Sequence, residues 1–280
     1  MTNKPDKKID ASRRRTRRWK PNPHHISGIH NYCDRWCERC AYTARCAVYA
    51  DERASDDGDP ASRDITNERF WKRLGNIFAE TMEMVREMAA EKGIDLDHIP
   101  PEEQLEIEAA EQKREETVEQ HLLTRASRDY GLQVYQWLKA SAPMFREKGK
   151  TLIMAARLEL PGHTPENDAA ETLEAIEVVS WYHLQIGVKL ARAIGGRSEE
   201  VPEIIEDLPK DWDGSAKIAL IGMERSMAAW GILLRHFPER EDEILSFLAA
   251  LKGLQRQTER EFPNARAFIR PGFDGGPAKA

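Results

Sequence analysis

The chain is predicted to be all-α, a helical bundle of about five core helices carrying a small N-terminal cysteine-rich, metal-binding head. Three observations carry that expectation. Apolar residues recur at helical spacing through most of the sequence after position 65, no stretch alternates apolar with polar residues as a strand would, and Gly or Pro stands where each helical pattern ends. No internal repeat of fixed period is present.

Residues 1–24 are polar, rich in Pro and Lys/Arg and without periodicity, and read as a basic disordered arm. Residues 25–50 are the four-cysteine segment, with Tyr32, Trp36, Tyr42 and Tyr49 among the cysteines. Residues 51–65 form a linker rich in Gly, Pro and Asp. The bundle domain is expected over residues 66–262, followed by an extended tail, 263–280, whose Phe268 and Phe273, with Phe262 just before it, are placed to clip back onto the bundle.

The first long helix is expected from Thr66 to Lys92, stopping at Gly93, with Phe70, Leu74, Ile77, Thr81, Met84, Val85 and Met88 on one face. Pro101 opens a very acidic helix over Glu102–Glu116, which runs on into a second core helix, Val118–Ser141, with the stripe Leu123, Tyr130, Val134 and Trp137. Pro143 is expected to interrupt it, leaving a short segment, Thr151–Leu160. The third core helix, Asn167–Ile194, closes on Gly195-Gly196 and carries apolar residues on two faces. Ile176, Val179, Ile186 and Leu190 lie on one, and Leu173, Leu184 and Val188 on the other, a width that predicts a central helix. A loop with Pro202 and Pro209 leads to the fourth, Ser215–His236, and Pro238 starts the fifth, Glu239–Glu261.

Charge is distributed unevenly. Residues 1–50 hold 12 Lys/Arg against 4 Asp/Glu, a balance of +8, and the rest balances to −14, which together make the net −6. A basic head on an acidic body suits contact with nucleic acid, and it equally suits docking of the head on its own body, the reading favoured here because the opposing charge is tethered in the same chain. The basic opening is not followed by an apolar run of signal-peptide type, which predicts a cytoplasmic, reducing location. The longest apolar stretch, Ile218–Leu234, carries Glu224 and Arg225 at its centre, so no membrane contact is expected.

The strongest chemical signal is the string CDRWCERCAYTARC, which places Cys33, Cys37, Cys40 and Cys46 in a C-x3-C-x2-C-x5-C pattern, and the chain has no other cysteine. In a reducing compartment such a set is metal-binding or redox-active before it is disulfide-bonded. Spacings of four and three would project Cys33, Cys37 and Cys40 to one side of one or two helical turns, with Cys46 returning after a short loop. Four thiolates suit either Zn2+ or a [4Fe–4S] cluster, and both leave a charge of about −2 that Arg35, Arg39 and Arg45 are placed to offset. Compact runs of four are typical of iron–sulfur ligation, whereas structural zinc sites come as two separated pairs; His24, His25 and His30 stand ready as alternative zinc ligands. The C-x3-C-x2-C portion has the spacing of the radical-SAM signature, but with a fourth cysteine at hand and no barrel strands. The span from Cys37 to Cys46 resembles part of an auxiliary-cluster domain in those enzymes, over ten residues.

A second polar set lies within the apolar helices, with Glu177 and His183 in the third and Glu224 in the fourth. Buried ionisable groups need partners, so these three are expected to join across two helices as a hydrogen-bonded set. A di-iron carboxylate site would need Glu-x-x-His pairs, which the chain lacks. No phosphate-binding glycine loop, nucleophile elbow or H-E-x-x-H is present either. Tyr130, Trp137, Trp181 and Trp230 are expected to pack the core.

The leading expectation is a cytoplasmic protein holding a [4Fe–4S] cluster for electron transfer or sensing. One alternative is a zinc-stabilised binding module; another is an enzyme with a polar site around His183. The basic arm is the segment expected to meet a redox partner or nucleic acid.

Overall fold

A computed structural model describes residues 22–96, 98–158, 164–198 and 210–274. Among them there are seven α-helices and no strand: α1 (Ala47–Ser55), α2 (Glu68–Glu91), α3 (Pro101–Gln120), α4 (Leu122–Arg157), α5 (Pro165–Ser198), α6 (Asp211–His236) and α7 (Glu241–Glu261). The arm before residue 22, the loop with Pro202 and Pro209, and the tail after Asp274 lie outside the described residues. No described helix is long and apolar enough to cross a membrane.

The core is built by α4 to α7. Tyr130, Val134 and Trp137 of α4 meet Val179, Tyr182, Ile186 and Leu190 of α5, Met223, Trp230 and Leu233 of α6, and Ile244, Phe247 and Leu251 of α7. At one end the indole of Trp230 packs on Phe247 with ring centres 4.7 Å apart and on Trp137 at 5.0 Å. Its N–H, lost to water, donates to Tyr130 Oη at 3.1 Å, which satisfies the one polar atom the ring carries inward. Tyr130, Trp137 and Trp230 are core residues, as expected.

The all-α class is as expected, and four details differ from expectation. The acidic helix does not run into the next. His121 adopts an extended conformation between α3 and α4, and its Nδ1 accepts from the Leu123 N–H at 3.2 Å as the cap of α4. Pro143 does not end α4. Pro143 and Lys139, whose carbonyl loses its intrahelical donor, are both exposed, so water can replace that bond, while Phe145 beyond the proline packs on Phe237 at 5.4 Å.

The second apolar face of α5 is not buried, for Leu173, Leu184 and Val188 are each more than half exposed. The helix buries one face only, against α4 and α6. Helix α2 is capped by Asn67, whose side chain accepts from the Arg69 N–H at 3.0 Å, but it contributes no buried residue and packs chiefly against the turn at Pro60–Ser62. Its amphipathic face is real and unburied.

Candidate metal centre

The cysteine segment is not one helix but a relay of three 3-10 turns, Ile29–Tyr32, Cys37–Arg39 and Thr43–Arg45. Each cysteine sits at a turn end. Cys33 follows the first turn, Cys37 and Cys40 bracket the second, and Cys46 closes the third and caps α1. Turn ends are where backbone N–H groups lack intrahelical partners, and here two of them serve sulfur. The Tyr42 N–H donates to Cys40 Sγ at 3.4 Å, and the Arg35 N–H bonds Cys33. Arg35 lies at φ 57°, the sole non-glycine residue with positive φ among the described residues. That left-handed conformation is one a non-glycine residue adopts at a cost in energy.

All four cysteines are partly buried and unpaired, and all four line one small open-sided cavity. The remaining walls are mainly Ile29, Trp36, Tyr42, Tyr49 and, from the far end of the chain, Phe273. Among the described residues no three His, Cys, Asp or Glu groups lie within reach of a single ion. Burial pushes the Cys33 thiol up from its ordinary value, with the Arg35 N–H and Lys189 acting against it. Burial also raises Cys37, and the Glu52 carboxylate adds to that. Cys33 is a thiol, donating to the His30 carbonyl at 3.4 Å.

The cations divide differently from the sequence reading. Arg35 lines the cavity and pairs with Glu52 at 2.9 Å, but Arg45 turns away to the His24 carbonyl, and Arg39 turns to α5. The buried cation near the thiols is one the spacing of the head does not reveal. Lys189 of α5 is 8% exposed, has Cys33 as its largest electrostatic partner and the Asp34 carboxylate as a weaker one, and makes no hydrogen bond or salt bridge among the described residues. It falls on the buried face of α5 in register with Tyr182, Ile186 and Ala193, and that register was the available signal. His30 lines the cavity with a buried Nδ1 that has no hydrogen-bond partner among the described residues, whereas His24 and His25 do not line it.

The head is fixed to the bundle through Asp34, between the cysteines. Its backbone carbonyl accepts from Trp181 Nε1 at 3.0 Å and from the Gln185 side-chain amide. Its carboxylate accepts from Tyr182 Oη at 2.5 Å and from Arg225 at 2.7 Å. Burial and the Asp34 carboxylate raise the Tyr182 hydroxyl well above its ordinary value, so it stays a donor. Trp36 stacks on Trp181 with centres 5.0 Å apart, and Arg39 lies 4.2 Å above the Trp36 ring while pairing with Glu174 and Glu177. On the other flank Tyr32 sits over Gly214, where a Cβ would come within 2.4 Å of its ring, and against Phe268 at 4.6 Å. Burial and the Asp211 carboxylate push Tyr32 up to about 12. Trp181 thus packs both against the edge of the core and under the head. The tail clips back as expected: Phe262 and Phe268 are buried, and Phe273 meets Tyr42 at 5.1 Å.

The second polar set is not assembled. Glu177 is exposed and holds Arg39 of the head. Glu224 is exposed and accepts from Arg266 at 2.8 Å and Gln255 at 3.3 Å. His183 alone is buried, its Nδ1 on the Ser180 carbonyl at 2.8 Å and its ring facing Tyr135; burial lowers its pKa below the ordinary imidazole value. The apolar residues flanking Glu177 suggested burial, but they lie on the exposed side of α5.

What the head offers chemically is four soft donors around an apolar-walled space, backbone N–H groups on two of the sulfurs, and the buried Lys189, which has no salt bridge among the described residues. That set fits an anionic thiolate-bound group. No known protein family, curated protein or solved structure matches the chain.

Proposed function

We propose that Cys33, Cys37, Cys40 and Cys46 hold a [4Fe–4S] cluster, docked on the bundle for electron transfer or sensing. The observation that carries this reading is that all four cysteines of the chain, within fourteen positions, line one cavity. Compact runs of four thiolates are typical of iron–sulfur ligation, whereas structural zinc sites come as two separated pairs. The cluster supplies a one-electron couple when bound. The chain's part is to place four thiolates, to donate N–H bonds to Cys33 and Cys40, to set the Lys189 charge beside them, and to wall the site with Trp36, Tyr42 and Phe273. A ring with all four ligands supplied by protein leaves no open iron for substrate, which favours electron transfer or sensing over catalysis at the metal.

Residues 1–24 carry nine Lys/Arg against two Asp/Glu and lead directly into the head, so a redox partner or nucleic acid would be met there. A reducing, cytoplasmic setting is the one this chemistry needs. The deciding experiment is iron, zinc and acid-labile sulfide analysis with a visible spectrum on protein purified without oxygen, beside Cys40→Ser. The reading expects about four iron and four sulfide per chain, lost in the variant. One zinc and no sulfide would overturn it in favour of a zinc-stabilised module.

A further inference from the structure

Helix α2 presents the largest run of apolar side chains that the bundle leaves uncovered. Trp71, Ile77, Phe78, Met84 and Met88 are each close to or more than half exposed. Their spacing is informative. Phe70, Leu74, Ile77, Thr81, Met84 and Met88 follow each other at intervals of 4, 3, 4, 3 and 4, the a/d seam of a coiled coil, flanked on one edge by Trp71, Phe78 and Val85 at intervals of seven. A seam of this kind accepts a helix. The charged face argues against the other uses of an amphipathic helix. Over residues 68–91 there are four Lys/Arg and five Asp/Glu, so neither an anionic lipid surface nor nucleic acid is attracted.

The charges are also sorted along the axis. Residues 68–79 carry three Lys/Arg and one Glu, a balance of +2, and residues 80–91 carry one Arg and four Glu, a balance of −3. Antiparallel pairing with an identical helix sets each end against its opposite, and parallel pairing sets like on like. We infer that α2 is a homodimerisation helix and that its partner is α2 of a second copy, antiparallel, related by a two-fold axis. In that register Ile77 layers with Thr81 of the other copy, Leu74 with Met84, and Phe70 with Met88, so every seam residue is covered. Phe78 meets its own symmetry mate at the axis. At the polar edge Arg73 faces Glu87 twice. Arg73 also holds Asp57 at 3.9 Å and the Ser55 carbonyl, contacts that fix its side chain before a partner arrives. The one unfavourable meeting is Glu80 with its copy, at the same edge.

The test is sedimentation equilibrium of the full-length protein over micromolar concentrations, for wild type, Ile77→Glu and Glu87→Lys. Both changes are at exposed positions, so far-UV circular dichroism should stay unchanged. Wild type is expected to be a dimer, Ile77→Glu a monomer, and Glu87→Lys a dimer weakened about tenfold, with the weakening reduced at high salt. A monomeric wild type, a dimer indifferent to Ile77→Glu, or a monomer that binds some other helix through α2 would each overturn the proposal.

Discussion

Removing the Asp34 side chain should loosen the head while leaving the bundle intact. In Asp34→Ala the backbone carbonyl still receives Trp181 and Gln185, so the loss is confined to the carboxylate. Its bond from Tyr182 Oη, 2.5 Å, is charge-assisted and comes from a residue with no exposed surface; losing it leaves a buried hydroxyl proton without an acceptor, about 1.5–3 kcal/mol. Its pair with Arg225 is at 2.7 Å, but the guanidinium is 55% exposed, so solvent screening reduces that contribution to about 0.5–1 kcal/mol. Together they come to about 2–4 kcal/mol, equivalent to a local opening favoured about 30- to 700-fold. Hydrogen exchange is the suitable assay, because the head has its own reporters. The amides of Ile26, Arg39, Cys40 and Cys46 donate within the head, whereas those of α5 to α7 belong to the bundle. The head amides should lose protection by roughly two decades and the core amides should be unchanged. If protection in the head changed less than about threefold, or fell equally in head and core, the assignment of Asp34 as the docking anchor would be wrong.

Lys189→Met should raise the melting temperature of the protein, since a lysine buried without a salt bridge among the described residues is removed; if the cysteines hold the proposed cluster, the stabilisation it adds should shrink in the variant, and melting curves with and without the cluster check both signs. Gly131→Ala should lower Tm by about 3–10 °C, because the new Cβ meets the His183 carbonyl at 2.7 Å where α4 crosses α5, a clash of about 1–3 kcal/mol. Gly253→Ala, in α7 with open space around it, should raise Tm instead. For His183 the folded pKa is depressed by burial, so the unfolded chain binds the extra proton first. Stability should hold above about pH 6.5, fall as pH drops below it, and level off once the folded pKa is passed. His183→Gln should flatten that part of a denaturation-versus-pH series.

Helices α6 and α7 were legible within a few residues because Gly or Pro, or both, bracket each pattern, and α5 was legible as well, although it runs on through the Gly195-Gly196 pair expected to close it. The four-cysteine cavity was legible because ligand chemistry is written in local spacing. What escaped the sequence is long-range. Asp34 sits among cysteines and reads as a loop acid; its partners Tyr182 and Arg225 lie about 150 and 190 positions away, where no periodicity can point to them. Glu177 and Glu224 were misplaced for the complementary reason. Apolar neighbours at helical spacing mark a face, but which face is covered depends on where other helices stand. The same limit applies to α2, whose seam is strong in sequence and bare in the fold.

Phe273 closes one wall of the cysteine cavity, and the docking surface for the head lies on α5 and α6. In synthesis order the cysteines come first and their shelter last, for Phe273 stands 227 positions after Cys46. At about 5–20 residues per second the thiols wait some 10–45 s, tethered to the ribosome and uncovered, before the chain can enclose them. That interval is when an oxidant most easily reaches the sulfurs. Slow translation of the second half, or truncation before the tail, would therefore favour oxidation of the thiols without altering any cysteine.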